Sequence, residues 1–353
     1  MRFLNIDQHI SVSADLRGIF NSLGHTITEV SLSGHAKVIG RPLYSIPMLD
    51  GENWCGTITE KKFKEFNETY KKLFDNFDGF ICCYPPIFSL LYQYTNKPII
   101  IDIPIRYEYG AEYNPKLWNE FNSYLRESEN IHLVANSIYD QKYSSGFIGR
   151  NVDYISSWCG NYTGMSYNPV KNQTLLYAAF DINDSCNRTI KKERALKCGY
   201  AWQEVANYKS IVHFPYQVST MSIFEQYAAN IPLFFPTQRF LLELFTNDVQ
   251  VLHQISFNQI AKRESKSCIE HNFKYDPNNY KDLECIKHWL KYADYYSDNM
   301  RCVNFFDSFE ELEGYLNLSD KDLKLISNKM RMHNIERKYT IHKDWDNVLR
   351  SIS

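Results

Sequence analysis

The chain has no Cys-x-x-Cys and no His-Glu-x-x-His, which removes the commonest zinc-binding patterns. Its nine cysteines are an odd number with no disulfide-like spacing. Cys82-Cys83 sits in an apolar run, as in a buried strand of a reducing compartment. No apolar run approaches membrane-spanning length. The start, Met1 to Asp7, is too short and too polar for a secretory leader, so the expected location is cytoplasmic. Six glycosylation-type sequons, at Asn67, Asn161, Asn172, Asn183, Asn187 and Asn317, are then incidental to an Asn-rich chain. A net charge of −2 gives no electrostatic case for nucleic acid as a partner. No Gly-x-Gly-x-x-Gly follows the first strand, which argues against a plain NAD-binding protein.

What is present is size and alternation. At 353 residues the chain suits two domains of ordinary size. The 26 Tyr and 22 Phe suit stacking on sugars, but AT-rich coding produces the same bias. Apolar strands are expected at Arg2–Ile6, Thr26–Leu32, Gly79–Cys83, Pro98–Ile103 and Ile131–Ala135. Helices are expected between them, one capped by Ser13 and running to Leu23, others over 60–77, 87–94, 116–127 and 137–146. Residues 35–58 read as irregular. This pattern predicts a parallel sheet covered on both faces, with its strand-end loops along one edge.

A polar tract with Pro169, residues 164–174, reads as a linker. Beyond it a second alternating region begins at Leu175–Phe180. Arg188–Gly199 reads as a basic helix, and strands are expected at Ile211–Phe214, Ile231–Phe235, Val249–His253 and Cys302–Phe306. Further helices are expected at 286–296, from Asp307, and at 321–332. The expected fold class is α/β, with two Rossmann-like domains facing across a cleft. Residues 1–165 form the first domain and 174–335 the second, while 336–353 is a last helix returning to the first.

The most informative segment is His213 to Pro236: a short strand, a polar turn, a helix opening at Ser222, then a buried strand. A polar turn feeding a helix N-terminus is where α/β proteins bind phosphate. Gln217, seven intervening residues, Glu225 and then Ala228-Ala229-Asn230-Ile231-Pro232 resemble a motif of glycosyltransferases of the two-Rossmann (GT-B) architecture. That family carries two Glu residues at this spacing, and the first is Gln217 here. The resemblance implies that Glu225 holds the ribose hydroxyls of a nucleotide, with Gln217 near the sugar and phosphate. Phe80-to-Pro86, Lys97-to-Asp102 and Asn304-to-Phe309 also look like segments of such proteins. Ser222-Ile-Phe-Glu225 equally reads as a capping box, with the carboxylate bonded back to its own N-cap.

The implied donor is a nucleoside diphosphate sugar, with no other cofactor, and the implied acceptor is a hydroxyl on a glycan or other molecule. Ser219, Thr220 and Ser222 offer backbone N–H groups to the diphosphate. Arg188, with Lys191 or Lys192, resembles the cation pair that neutralises the leaving diphosphate, though a solvated basic helix face fits as well. Asp7 and His9, at the end of the first strand, are placed at the acceptor, where a His suits proton transfer. Arg106-Tyr107-Glu108 reads as an exposed polar triplet that closes the cleft or touches the diphosphate, or as an Arg–Glu pair of no other consequence. The only Asp-x-Asp triplets, Asp320-Lys-Asp322 and Asp344-Trp-Asp346, lie in C-terminal helical sequence. A metal-dependent GT-A enzyme is therefore not expected, and no metal is assigned. Two alternatives stay open: a nucleotide-sugar epimerase on the same architecture, or a non-catalytic nucleotide- or sugar-binding protein.

Overall fold

The structure is a computed structural model. It describes all residues except 35–39, 41, 43, 45, 47–48, 50–59, 113, 185, 198, 256–266, 268 and 353. Most of the irregular stretch expected over 35–58 lies outside the described residues. The chain divides into two compact units. The first holds Met1–Ser157, Cys268–Lys274 and Ile341–Ser353, and the second Trp158–Ser267 and Tyr275–Thr340.

The first unit is built on a parallel sheet of six strands: β1 (Arg2–Asp7), β2 (Thr26–Ser31), β3 (Gly79–Cys82), β4 (Ile99–Ile103), β5 (Ile131–Ala135) and β6 (Asp153–Tyr154). Their order is β2-β1-β3-β4-β5-β6. Every residue of β3 and β4 is buried, as expected of parallel strands covered on both faces. Around the sheet run α1 (Ile10–Ser22), α2 (Glu60–Phe74), a 3₁₀ turn (Pro86–Tyr92), α3 (Pro115–Glu127) and α4 (Ile138–Ile148). Capping chemistry fixes two of these starts. The side chain of Asn114 accepts from the Leu117 N–H, with Pro115 opening α3, and Ser137 accepts from the Asp140 N–H of α4. Gly149, at φ 74, ends α4 in the left-handed conformation that glycine adopts without strain.

The second unit carries a parallel sheet of five strands: β7 (Thr174–Tyr177), β8 (Thr189–Lys191), β9 (Ile211–His213), β10 (Leu233–Pro236) and β11 (Asn304–Phe306). Their order is β11-β10-β9-β7-β8. Helices α5 (Lys192–Ala195), α6 (Trp202–Ala206), α7 (Met221–Ala228), α8 (Gln238–Thr246), α9 (Leu283–Leu290) and α10 (Phe309–Leu316) accompany it. A single helix, α11 (Asp320–Ser351), replaces the two C-terminal helices read from the sequence. Within the first unit, its Trp345 packs edge-to-face on Phe20, with centroids 5.3 Å apart.

Three other readings are corrected. Arg188–Gly199 is not one basic helix: Thr189–Lys191 is an edge strand, and only Lys192–Ala195 turns into a helix. Residues 249–253 form no strand. Leu252 sits at φ 53, and its N–H bonds to the Pro215 carbonyl, so this loop packs beside the end of β9. The Ser222–Glu225 capping box does not form. Thr220 is the N-cap, so Ser222 is already inside α7, and Glu225 lies two residues beyond the box position, which Ile223 holds.

Candidate functional site

In the second unit the chain leaves β7 toward β8 on one side, while β9 lies on the other. The loops after β7 and β9 therefore diverge, and an open α/β sheet has its crevice at such a switch point. Tyr177 and His213 are paired in register as the last residues of these two strands. A cavity of about 190 Å³ lies there. Its lining includes both residues, Lys192 and Glu193 of α5, and Tyr216, Gln217, Thr220 and Ser222 of the turn into α7. His253 joins from the 249–254 loop, which is tied down by the Gln254 N–H on the Tyr216 carbonyl.

The side chain of Thr220 does not cap α7; its hydroxyl lies 3.1 Å from that of Ser222. The Ile223 N–H bonds back to the Thr220 carbonyl at 3.1 Å, and the positive end of the α7 dipole lies beside the cavity, where it favours an anion. Lys192 supplies positive charge, its ammonium 5.0 Å from the Tyr177 ring centroid and 5.6 Å from that of Tyr200. His213 stacks on Phe235 at 4.8 Å and lies 2.6 Å from the Gln226 amide oxygen. Burial, with Lys192 adding to it, lowers the His213 pKa to about 4, so its imidazole stays neutral and acts as a wall. Gln217 turns its side-chain oxygen onto the Val218 N–H at 3.0 Å, which locks the turn.

The sequence-derived candidates separate here. Gln217, Thr220, Ser222 and Lys192 are brought together, whereas Ser219, Glu225 and Arg188 are not among the residues lining this cavity. Glu225 is 8% exposed and accepts the Tyr162 hydroxyl at 2.5 Å. Arg188 is engaged by Asp184 and Glu313, both at 3.1 Å, and by the Asn317 amide oxygen at 2.9 Å, so its guanidinium braces the sheet edge. Sequence reading missed Tyr177, Tyr216, Glu193 and His253. The signal for Tyr177 and Tyr216 was their place at or just after strand ends, which a short strand hides.

The first unit has its own switch point, between β1 and β3. The backbone bond from Gln8 N–H to the Tyr84 carbonyl, 2.8 Å, ties the two strand-end loops together. Asp7 is fully buried; its carboxylate accepts the His9 N–H at 2.9 Å and the Asn5 amide at 3.3 Å. Burial above all, with the nearby Glu29 carboxylate, pushes its pKa up to about 7 against the bonds that favour the charge. His9 is the N-cap residue of α1, and its ring packs edge-to-face on Tyr84 at 5.5 Å.

Arg106, Tyr107 and Glu108 are corrected: they are buried, at 1%, 0% and 1% exposure, and not an exposed triplet. Arg106 pairs with Asp140 at 3.6 Å, not with Glu108, and lies 5.3 Å from the Tyr139 ring centroid. The Trp118 indole N–H donates to the Tyr107 hydroxyl at 2.8 Å, and that hydroxyl bonds to Asn122. Glu108 accepts the Tyr143 hydroxyl, yet burial pushes its pKa up to about 8, so it holds a proton at neutral pH. The three residues are a polar core under α3 and α4.

Among the described residues no group of three or more His, Cys, Asp or Glu is placed to hold a metal ion, and no helix is long and apolar enough to cross a membrane. No family model matches the chain, and no curated protein matches it. Among solved structures, the chain overlaps the glycosyltransferase SnogD from Streptomyces nogalater at a TM-score of 0.46 and 9% identity, over 100% of both chains. It overlaps the spinosyn rhamnosyltransferase SpnG at 0.45 and 9%, over 100% of this chain and 99% of that one. The glycotransferase of kitacinnamycin overlaps at 0.43 and 10%, again over 100% and 99%. Overlaps this loose carry no function with them, and the chemistry has to come from the site.

Proposed function

We propose that the protein is a GT-B-type glycosyltransferase that moves a sugar from a nucleoside diphosphate donor to an acceptor hydroxyl, without a required metal. The observation that carries this reading is the cavity at the β7/β9 switch point, where the N-terminus of α7, Lys192, Thr220 and Ser222 converge. A pocket of about 190 Å³ is smaller than the roughly 300 Å³ and more of a whole-ligand site, so it suits the diphosphate and the adjoining part of the sugar. In transfer the bond from the sugar carbon to the diphosphate oxygen breaks and charge grows on that oxygen. In this reading Lys192 and the helix dipole of α7 stabilise that charge. Tyr177 and Tyr216 give the sugar faces to pack on. The ribose role of Glu225 requires Tyr162, its present partner, to share or yield the carboxylate.

On the first unit we assign the acceptor contact to the loop of Asp7 and His9, with His9 before Asp7 for proton uptake, because Asp7 is fully buried and its carboxylate is bonded to the His9 N–H and the Asn5 amide. The test is incubation of the full chain with a panel of nucleoside diphosphate sugars and simple acceptors, with and without EDTA. Formation of nucleoside diphosphate and a glycosylated product, unchanged by EDTA, supports the reading. Sugar interconversion without transfer identifies an epimerase, and binding without turnover a non-catalytic protein.

A further inference from the structure

The second unit has a larger hollow, of about 640 Å³, that shares no residue with the switch-point cavity. It lies at the opposite end of the strands, before β7, β9 and β10 begin. Its walls are the segment 166–172 that precedes β7, Lys209 before β9, Ala229-Asn230 before β10, and one face of α11. Helix α7 runs between the two sites, with Thr220 at one end and Ala229 at the other, so its eight residues separate them by about 12 Å.

The hollow is built rather than incidental. The 166–172 wall is held by backbone bonds: Tyr167 N–H to the Ala229 carbonyl, Asn168 N–H to Ala206, and Val170 and Lys171 N–H to Asn207. The Tyr167 hydroxyl closes the corner on the Lys209 carbonyl at 2.6 Å. Four cations line it, Lys171, Lys209, Lys324 and Arg331, against one carboxylate, Asp320, in a chain whose net charge is −2. Lys209 is matched by Asp320 at 3.4 Å, and Lys171 rests on the Tyr208 ring, 4.3 Å from its centroid. Arg188, Arg194, Arg239 and Arg301 of this unit have carboxylate partners, and Arg337 bonds to the Asn299 amide oxygen at 3.3 Å. Neither Lys324 nor Arg331 has a side-chain hydrogen bond or ion pair to a described residue. Their spacing along α11, with Asn328 between them, puts all three on one helix face.

We propose that this hollow is a second, anion-binding site that takes a phosphate group, with Lys324 and Arg331 as its principal ligands. An ammonium and a guanidinium fork that are both uncommitted match phosphate oxygens. The amides of Asn328 and Asn168 add donors beside them. The phosphate belongs either to a soluble phosphorylated compound or to a lipid headgroup. Exposed Leu325 and Met332, each next in sequence to one of the two cations, make the second source a real arm of the test.

The test is titration of the full chain at low salt with pyrophosphate, and cosedimentation with phosphatidylcholine vesicles with and without phosphatidic acid. Lys324→Gln/Arg331→Gln should weaken at least one of these interactions tenfold or more, with melting temperature and nucleoside diphosphate affinity unchanged. Loss in the pyrophosphate arm identifies a soluble ligand, and loss only with phosphatidic acid vesicles a headgroup. Asn328→Asp, which keeps both cations but adds a carboxylate between them, should weaken the same arm and serves if the double variant misfolds. The wild-type chain binding neither probe, or binding unchanged in the variants, would overturn the proposal. Failure of the donor reading shows separately, as absent nucleoside diphosphate binding with this site intact.

Discussion

At the scale of single residues, Lys192 and Asp7 carry the most. If Lys192 faces a diphosphate, Lys192→Ala should weaken nucleoside diphosphate binding roughly tenfold, the loss of about 1.4 kcal/mol from one charge-assisted contact; calorimetric titration checks it. Asp7 titrates near 4 in an unfolded chain but at about 7 here. Between those pH values the folded chain holds a proton that the unfolded chain has lost. Its contribution to stability therefore falls as pH rises from about 4 to 7 and stays flat above. Asp7→Asn, which cannot ionise, should remove that fall. Relative to wild type it gains up to roughly 4 kcal/mol between pH 4 and pH 8, measurable by urea unfolding. His9→Ala, at the same strand-end loop, should lower transfer at least tenfold while leaving nucleoside diphosphate affinity unchanged, as product formation and calorimetric titration would show.

At the scale of elements, the N-terminus of α7 and the end of α11 are the parts to probe. Ser222→Glu puts a carboxylate in the first turn of α7, where the helix dipole favours it by about 0.3–1 kcal/mol. The variant should melt no lower than wild type and lose nucleoside diphosphate affinity at least tenfold by repulsion. Trp345→Ala removes the partner of Phe20 and should cost about 3–5 kcal/mol in denaturant unfolding. Strands such as β4 were legible in the sequence because full burial demands a mostly apolar run, here Ile99-Ile100-Ile101 and Ile103 around Asp102. β8 was not: three half-buried residues on a sheet edge, Thr-Ile-Lys, read as the start of the basic helix that follows. The turn Gln217–Ser222 was legible from its polarity before an apolar helix. Burial of Arg106 and Glu108 was not, because Asp140 and Tyr143, which enclose them, come from a distant part of the chain.

At the scale of the whole molecule, both units repeat one plan, a parallel sheet whose second strand lies outside the first and whose third strand lies on its other side. Each plan makes one switch point, with polar residues collected at the strand ends: Asp7 and His9 in one, and Lys192, Gln217, Thr220 and Ser222 in the other. Donor binding is proposed for the second alone. Amide hydrogen exchange, followed during titration with nucleoside diphosphates, tests that assignment most directly. The expected result is saturable slowing over Tyr216 to Phe224, absent or much reduced in Lys192→Ala. Exchange in that segment unaltered by any nucleoside diphosphate would contradict it.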